Sequence, residues 1–221
     1  ETLLNMLKTE KSADGKLVHD ETDISFVIQA LGKIGRPGLA KAGMETAILD
    51  EITSKLDAKS KAERNVKRSA TIALGQLAPA CDLKTQKTIV TMTLKRVIND
   101  TEDNQERHFA LIALGRIGAT PGVEKDTRTD CIKVLNYYLD KGKNLTPPFA
   151  AMGLGLIGRQ MNIANEAPDE EMIRKPLRDR FAEKGEARAR GAYAVASGLA
   201  HDSKAVAAMI EILGNSKSDP K

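Results

Sequence analysis

The segment Ala30-Leu31-Gly32-Lys33-Ile34-Gly35 is the first of five related segments that divide the chain into steps of nearly equal length. The other four segments begin at Ala73, Ala113, Gly153 and Val195. Their central small residues are Gly32, Gly75, Gly115, Gly155 and Ser197, which lie 43, 40, 40 and 42 residues apart. A period of about 40 to 47 residues is typical of stacked helix pairs. The sequence therefore predicts an all-α solenoid in which each segment belongs to the first helix of a pair.

The residues around each centre predict how these first helices pack. With the centre as position 0, positions −5, −2, −1 and +2 share one helical face. Positions −5, −2 and 0 are mostly small, whereas positions −1 and +2 are mostly large and apolar, as in Ala70, Ala73, Leu74 and Leu77. We therefore expect neighbouring first helices to approach closely and to end near position +3, which is Gly or Ala in every copy. Residues 153–158 also have GxGxxG spacing, but no strand precedes them, so they do not indicate a phosphate loop.

The spacing predicts one repeat array over residues 1–221. It contains a half repeat at 1–9 and five repeats at about 23–59, 60–99, 100–142, 146–184 and 186–214. The longest connection expected within a repeat is 159–168, and Pro176 predicts a kink in the second helix of the fourth repeat. The chain begins at Glu1, not Met, and its tail contains Asp219-Pro220. We therefore expect a fragment of a larger array, with open ends that self-associate weakly.

Composition agrees with packed helices and leaves the compartment unassigned. Aromatic residues are only 3% of the chain and Trp is absent, which suits stacked helices better than a β-sandwich. No run of 18 apolar residues occurs, so we expect no membrane span. The net charge of +4 is compatible with an acidic partner without requiring one. Cys81 and Cys131 lack metal-site spacing, and both a buried-thiol role and a disulfide remain open.

The repeated segments resemble the HEAT repeat, in the bacterial-type variant shared with phycobilin lyases, whose first helix reads A-x-x-A-L-G-x-I-G. The resemblance covers about residues 23 to 213. The Arg that the family carries at position −8 is present as Arg107 and is replaced by Lys67 in the second copy. The resemblance implies a right-handed superhelix with the second helices on its concave surface. It does not imply one function, because such arrays serve as scaffolds, transport and coat proteins and, in some cases, enzymes.

No catalytic arrangement stands out in the sequence. His19, His108 and His201 form none of the His-Glu pairs by which HEAT-like iron hydroxylases bind metal. HEAT-like DNA glycosylases use aromatic side chains beside basic ones, whereas the only adjacent aromatics in this chain are Tyr137 and Tyr138. Nothing indicates a bilin site, which leaves a bilin lyase as the weakest alternative. We expect no catalytic, cofactor or metal residues, and no enzyme.

The expected function is a non-enzymatic scaffold that binds a protein or peptide along the concave face formed by the second helices. The candidate contacts are mostly basic side chains on those helices: Lys84, Lys87, Thr91, Lys95, Arg128, Lys133, Tyr137, Lys141, Arg174, Arg178 and Arg180. If they form one stripe, the alternative is nucleic-acid binding through phosphate contacts. A third interpretation also stays open, in which these basic residues are dispersed and pair with neighbours such as Glu170 and Asp179.

Overall fold

The computed structural model describes residues 2–7, 19–41, 45–183 and 186–214, and this part of the chain contains helices and no strand. The α-helices are α1 (Thr2–Leu7), α2 (Glu21–Lys41), α3 (Glu45–Ser54), α4 (Arg64–Leu77), α5 (Leu83–Thr88), α6 (Lys95–Asp100), α7 (Asn104–Gly118), α8 (Lys125–Lys141), α9 (Thr146–Ile163), α10 (Lys175–Ala182), α11 (Ala187–Leu199) and α12 (Val206–Gly214). The predicted all-α repeat solenoid is confirmed. By length and hydropathy, no helix within the described ranges qualifies as a membrane span.

The helices form two layers. The first helices are α2, α4, α7, α9 and α11, which carry the repeated segments. The second helices of the five repeats are, in order, α3, α5 with α6, α8, α10 and α12. A π-helical turn (Ile89–Leu94) joins α5 to α6, a second π-helical turn (Glu170–Arg174) precedes α10, and a 3-10 turn (Ser203–Ala205) precedes α12. The predicted repeat boundaries stay a prediction, and residues 1, 8, 9, 184 and 215–221 lie outside the described residues.

The first helices touch one another backbone to backbone. A Cβ atom added at Gly115 of α7 comes to 2.5 Å from the Cα of Gly153 in α9 and 2.9 Å from its carbonyl oxygen. A Cβ atom at Gly75 similarly comes to 2.8 Å from the Cβ of Ala113. Position 0 of one first helix thus packs on position −2 of the next. The predicted close approach is confirmed, and it depends on small residues at both positions.

The fifth copy is one residue out of the predicted register. Gly155 packs on Ala196, not on Val195, and Gly158 packs on Ala200. These contacts make Gly198 the centre of the fifth copy instead of Ser197. The shift explains why Ser197 is fully buried while Val195, expected in the packing face, is 54% exposed. Ile34, also expected in that face, is 49% exposed in α2, the first of the first helices along the chain.

Two predicted helix boundaries need correction. The first helix α7 ends at position +3, α4 ends one residue earlier, at Leu77, and α2 breaks at Gly35, where φ is +71°. In α9, however, the helix runs five residues beyond Gly158 to Ile163, so the expected loop at 159–168 is shorter. The small residue at 158 is required for packing, because an added Cβ comes to 2.8 Å from that of Ala200. The helix continues because no Pro or Gly follows until Pro168.

Pro176 does not break its helix, because the π-helical turn Glu170–Arg174 precedes it and α10 continues to Ala182. Proline has no N–H to donate to the carbonyl of Met172, four residues earlier. That carbonyl accepts a hydrogen bond of 2.7 Å from the Nδ2 of Asn136 in α8 instead. A side chain of the preceding second helix therefore replaces the missing helical donor.

Long side chains, not close backbones, join successive second helices. Each of these side chains donates to a carbonyl in the last turn of the preceding helix of this layer or just beyond it: Lys55 Nζ to Leu7 at 2.8 Å, Arg96 Nη2 to Leu56 at 2.6 Å, Tyr138 hydroxyl to Ile98 at 3.4 Å, and Arg180 Nη2 to Asp140 at 2.7 Å. The last turn of a helix leaves its carbonyls without intrahelical donors, and a cation there is favourable. The second-helix layer thus uses long polar residues where the first-helix layer uses glycine and alanine.

Candidate functional site

Most of the predicted basic residues on the second helices are neutralised by carboxylates. Five of the nine form ion pairs: Lys95 with Asp130 at 3.3 Å, Arg128 with Glu166 at 2.7 Å, Lys141 with Asp140 at 2.7 Å, Arg178 with Asp202 at 2.6 Å, and Arg180 with Glu183 at 2.7 Å. These pairs fit the interpretation in which basic residues pair with acidic neighbours. A continuous stripe of free positive charge does not form along these five positions.

Arg178 is the most strongly engaged of the predicted residues. Its Nη1 donates to both carboxylate oxygens of Asp202, at 2.7 and 2.6 Å, and its Nη2 donates to Glu170 at 2.6 Å. Lys204 donates to the same oxygen of Glu170 at 2.8 Å. The hydrogen bonds from Lys204 and then Arg178 lower the pKa of Glu170 to about 2. Since Asp202 also caps the turn Ser203–Ala205, Arg178 joins the fourth and fifth repeats.

Two further arginines are held by backbone carbonyls. The Nε of Arg174 donates to the carbonyl of Ala200 at 3.2 Å, just beyond α11. The Nε of Arg128 donates to the carbonyl of Gly118 at 3.2 Å, at the end of α7. Their guanidinium groups therefore link the ends of first helices to second helices, and are only partly available to a ligand.

The remaining predicted residues lie at the surface of α5 and α8. Lys84, Lys87 and Lys133 are exposed, and no carboxylate of the described residues pairs with them. Thr91 is half-buried, and its hydroxyl donates to the carbonyl of Lys87 at 2.8 Å. Tyr137 is 60% exposed and lies edge-on to the ring of Tyr138, with centroids 5.1 Å apart. Sequence reasoning missed several exposed apolar residues on this layer, among them Met92, which is 68% exposed, and Ile210, which is 63% exposed.

A second surface, on the solvent side of the first helices, was not predicted. Ile72 of α4, Phe109 and Ile112 of α7 and Phe149 of α9 line a groove of about 290 Å³, which also includes Arg116. We call this site the first-helix groove. Its floor contains Gly75 and Ala113, the residues at which α4 and α7 touch. The sequence contains a signal for this groove, because position −6 is Phe in the first, third and fourth copies, outside the face that packs in the core.

The aromatic wall of this groove is held in place from behind. The ring of Phe149 stacks on that of His108, with centroids 4.3 Å apart and an angle of 6° between the planes. His108 is buried, and its Nε2 lies 3.3 Å from the hydroxyl of Thr146. Burial, followed by the charge of Arg107, lowers the pKa of His108, so the imidazole is neutral at physiological pH. A neutral, anchored ring supports Phe149 as a fixed part of the groove.

The described residues contain no group of three or more His, Cys, Asp or Glu side chains that could hold a metal ion. No disulfide joins Cys81 and Cys131, and both are buried. Burial is also the main reason that the pKa of the Cys131 thiol rises to about 12. Of the two alternatives that the sequence left open, a disulfide and buried thiols, the structure therefore has buried thiols. Cys131 lacks the thiolate character of a reactive cysteine.

No protein-family model matches the chain, and no curated protein does. Among solved structures, a computationally designed armadillo repeat protein for modular peptide recognition is similar over 97% of this chain and 92% of its own length, with 16% identity and a TM-score of 0.54. A second designed armadillo repeat protein matches 90% of this chain and 98% of its own, with 15% identity and a TM-score of 0.42. At these identities the similarity of the first supports a helical repeat solenoid and leaves the HEAT type a prediction.

Proposed function

We propose that the chain is a non-enzymatic scaffold that binds a segment of another protein. We further propose that the first helices, and with them the first-helix groove, form the inner face on which this segment lies. This differs from the expectation that the second helices line the concave surface. The proposal is based on helix spacing, exposed apolar surface and charge.

The spacing argument compares the two layers. First helices meet where Gly115 lies against the backbone of Gly153, so closely that a Cβ atom at residue 115 would come to 2.5 Å from the Cα of Gly153. Second helices are joined by Arg96, Tyr138 and Arg180, whose long side chains span the gap to the preceding helix. A two-layer stack curves toward the layer in which its helices are closer together. Repeat solenoids bind partners on such extended inner surfaces.

The observation that carries the proposal is the first-helix groove itself. Phe109, Ile112 and Phe149 line this groove and are all half-buried, and the ring of Phe149 also stacks on that of the buried His108. A contiguous apolar surface beside an exposed arginine is typical of a protein-binding site. Aromatic and arginine side chains are also the residues that most often dominate binding energy at interfaces.

The designed armadillo protein supports a peptide as the partner class, since its description gives modular peptide recognition as its purpose. The nucleic-acid alternative requires free cations along the second helices. Of those predicted, Lys84, Lys87 and Lys133 remain exposed and unpaired among the described residues, whereas Arg178 and Arg180 are engaged by carboxylates. We therefore favour a protein segment over a phosphate backbone.

Affinity capture from the source cells, with wild type and matched variants, tests the proposal. Ile112→Glu places a charge in the first-helix groove, and Met92→Glu places the same charge at an exposed apolar position on the second helices. We expect a captured protein to be lost with Ile112→Glu and kept with Met92→Glu, while circular dichroism shows both variants folded.

Loss with Met92→Glu alone contradicts the assignment of the first helices as the binding face. Titration with DNA and RNA over a range of salt concentrations tests the nucleic-acid alternative. Binding that weakens steeply with salt and disappears in the Lys84→Glu, Lys87→Glu double variant contradicts the protein-scaffold proposal.

A further inference from the structure

We infer that the segment bound at the first-helix groove is acidic and amphipathic, with apolar anchor residues flanked by Asp or Glu. This inference rests on the proposed function and names the chemistry of its partner. It follows from the distribution of charge over the first helices, from the positions of three exposed cations and from the repeated phenylalanines.

The first helices contain no carboxylate along most of their length. The twelve residues from position −8 to position +3 are 24–35, 67–78, 107–118, 147–158 and 190–201, with the fifth copy centred on Gly198, and none is Asp or Glu. The chain has 30 acidic residues in 221, so that about eight are expected in these 60 positions. The same windows hold six basic residues: Lys33, Lys67, Arg68, Arg107, Arg116 and Arg190. Charge is therefore tolerated on these helices, but only of one sign.

Three cations near the carboxyl ends of the first helices face solvent, and one of them lies in the groove. Arg116 lines it, Lys33 occupies the same repeat position in α2, and Arg159 follows Gly158 on α9. All three are exposed, and among the described residues no carboxylate pairs with any of them. On the second helices Arg178 and Arg180 are each matched by an acid, whereas Lys84, Lys87 and Lys133 are exposed without one among the described residues. What distinguishes the first helices is that no acid lies between positions −8 and +3. The unmatched charge is complementary to a partner that brings its own carboxylates.

The apolar side of the partner is indicated by position −6. Phe109 and Phe149 occupy it on adjacent helices and belong to the groove, and Phe26, at the same position in α2, is 66% exposed. Apolar side chains of a bound segment can pack against this row while its acidic residues reach Arg116 and Arg159. Such a segment combines central desolvated anchors with a charged rim, as specific interfaces do.

A second copy of this chain is a poor occupant of the same face. Two first-helix grooves placed face to face bring Arg116 of each copy toward basic residues of the other, with no acid in either layer of first helices between positions −8 and +3. Like charges brought together at an interface are unfavourable. The weak self-association expected at the open ends of the array is a separate prediction and involves other surfaces.

Fluorescence polarisation with two short labelled peptides tests the inference. One peptide combines Leu with Glu in an amphipathic pattern, and the other has Lys in place of every Glu. We expect the Leu/Glu peptide to bind wild type at least roughly tenfold more tightly than the Leu/Lys peptide at physiological salt. Arg116→Glu is expected to weaken the Leu/Glu peptide and to strengthen the Leu/Lys peptide, a reversal that loss of folding cannot produce. Met92→Ser, an exposed apolar change on the other layer, is the matched control and leaves both affinities unchanged.

Equal binding of the two peptides, no effect of Arg116→Glu, or an equal loss with Met92→Ser overturns the inference. No binding of the Leu/Glu peptide at about 1 mM also overturns it. Sedimentation of the unliganded chain gives a further test. If wild type is a dimer and Arg116→Glu is a monomer, a second copy of the chain occupies the groove and the inference is overturned. In each of these cases the capture experiment with Ile112→Glu still decides separately whether the chain is a scaffold.

Discussion

Gly115→Ala tests the backbone contact on which the two-layer description depends. The new methyl group comes to 2.5 Å from the Cα of Gly153, 2.9 Å from its oxygen and 3.0 Å from its carbonyl carbon. Ordinary carbon contacts begin near 3.5 Å, so α9 has to move away from α7 by about 1 Å. The opposing atoms are backbone and cannot rotate aside. Overpacking of this kind costs about 1–3 kcal/mol, whereas replacing a helical glycine by alanine gains only about 0.5–1 kcal/mol. We therefore expect a net loss of stability of roughly 1–2 kcal/mol, measured as a lower midpoint of urea unfolding.

Gly191→Ala is the matched control for this change. Gly191 also lies inside a first helix, α11, but nothing lies within 4 Å of a Cβ atom placed there. The substitution therefore keeps the gain of about 0.5–1 kcal/mol without the steric cost, and its urea midpoint is expected to rise. Midpoints that move in the same direction for both variants refute the close packing of α7 on α9. A rise for Gly115→Ala also removes the spacing argument for the inner face.

Three further predictions concern the second helices. Asn136→Ala is expected to cost about 1–2 kcal/mol of unfolding free energy in wild type. It is expected to cost clearly less in the Pro176→Ala background, where residue 176 regains a backbone N–H that can donate to Met172. If the two substitutions lower the urea midpoint additively, Asn136 does not replace the donor that Pro176 lacks. Because the pKa of Glu170 is lowered to about 2, the stability that it contributes is complete above its ordinary value of 4.5 and is lost as pH falls toward 2. The loss of stability at acid pH is expected to be smaller in Arg178→Met, which lacks one of the hydrogen bonds that lower this pKa. If thermal unfolding of wild type and Arg178→Met depends on pH in the same way, the prediction is wrong. Cys131 is expected to resist iodoacetamide at pH 8 until the chain unfolds, and mass spectrometry of native protein that shows its alkylation refutes its burial.

The fold was predictable because the packing of first helices places strict demands on single positions. Gly75 and Gly115 recur where backbones touch, and Leu74 and Leu114 beside them fill the core, so a period near 40 is visible in one sequence. The fifth copy was misaligned because Val195-Ala196-Ser197-Gly198 offers two small residues as its centre. Only the contact of Ala196 with the preceding helix distinguishes them.

The candidate binding surface is harder to predict, because the type of a side chain does not reveal which neighbour it pairs with. Arg178 and Lys84 are both basic residues of second helices, yet the first is held by two carboxylates and the second is exposed. The partner of Arg178, Asp202, lies in the next repeat, so sequence distance gives no warning of it. The row of Phe109 and Phe149 was visible in the sequence but is easily read as core, since apolar residues at helical spacing usually are core.

The two layers solve the same stacking problem with different chemistry, and this difference is consistent with the proposed binding face. Second helices are separated, so their ends need Arg96, Arg180 and similar residues to supply donors, and each such residue is thereby committed to structure. First helices need only small residues such as Gly115 at their contacts, because backbone atoms already meet there. Some side chains of first helices also link helices, as Gln29 does by donating to Ser69 at 3.0 Å. The side chain of Arg116 makes no such link among the described residues, so it is available to a ligand without loss of the stack. Under the proposed function, a repeat of this design separates stability from recognition.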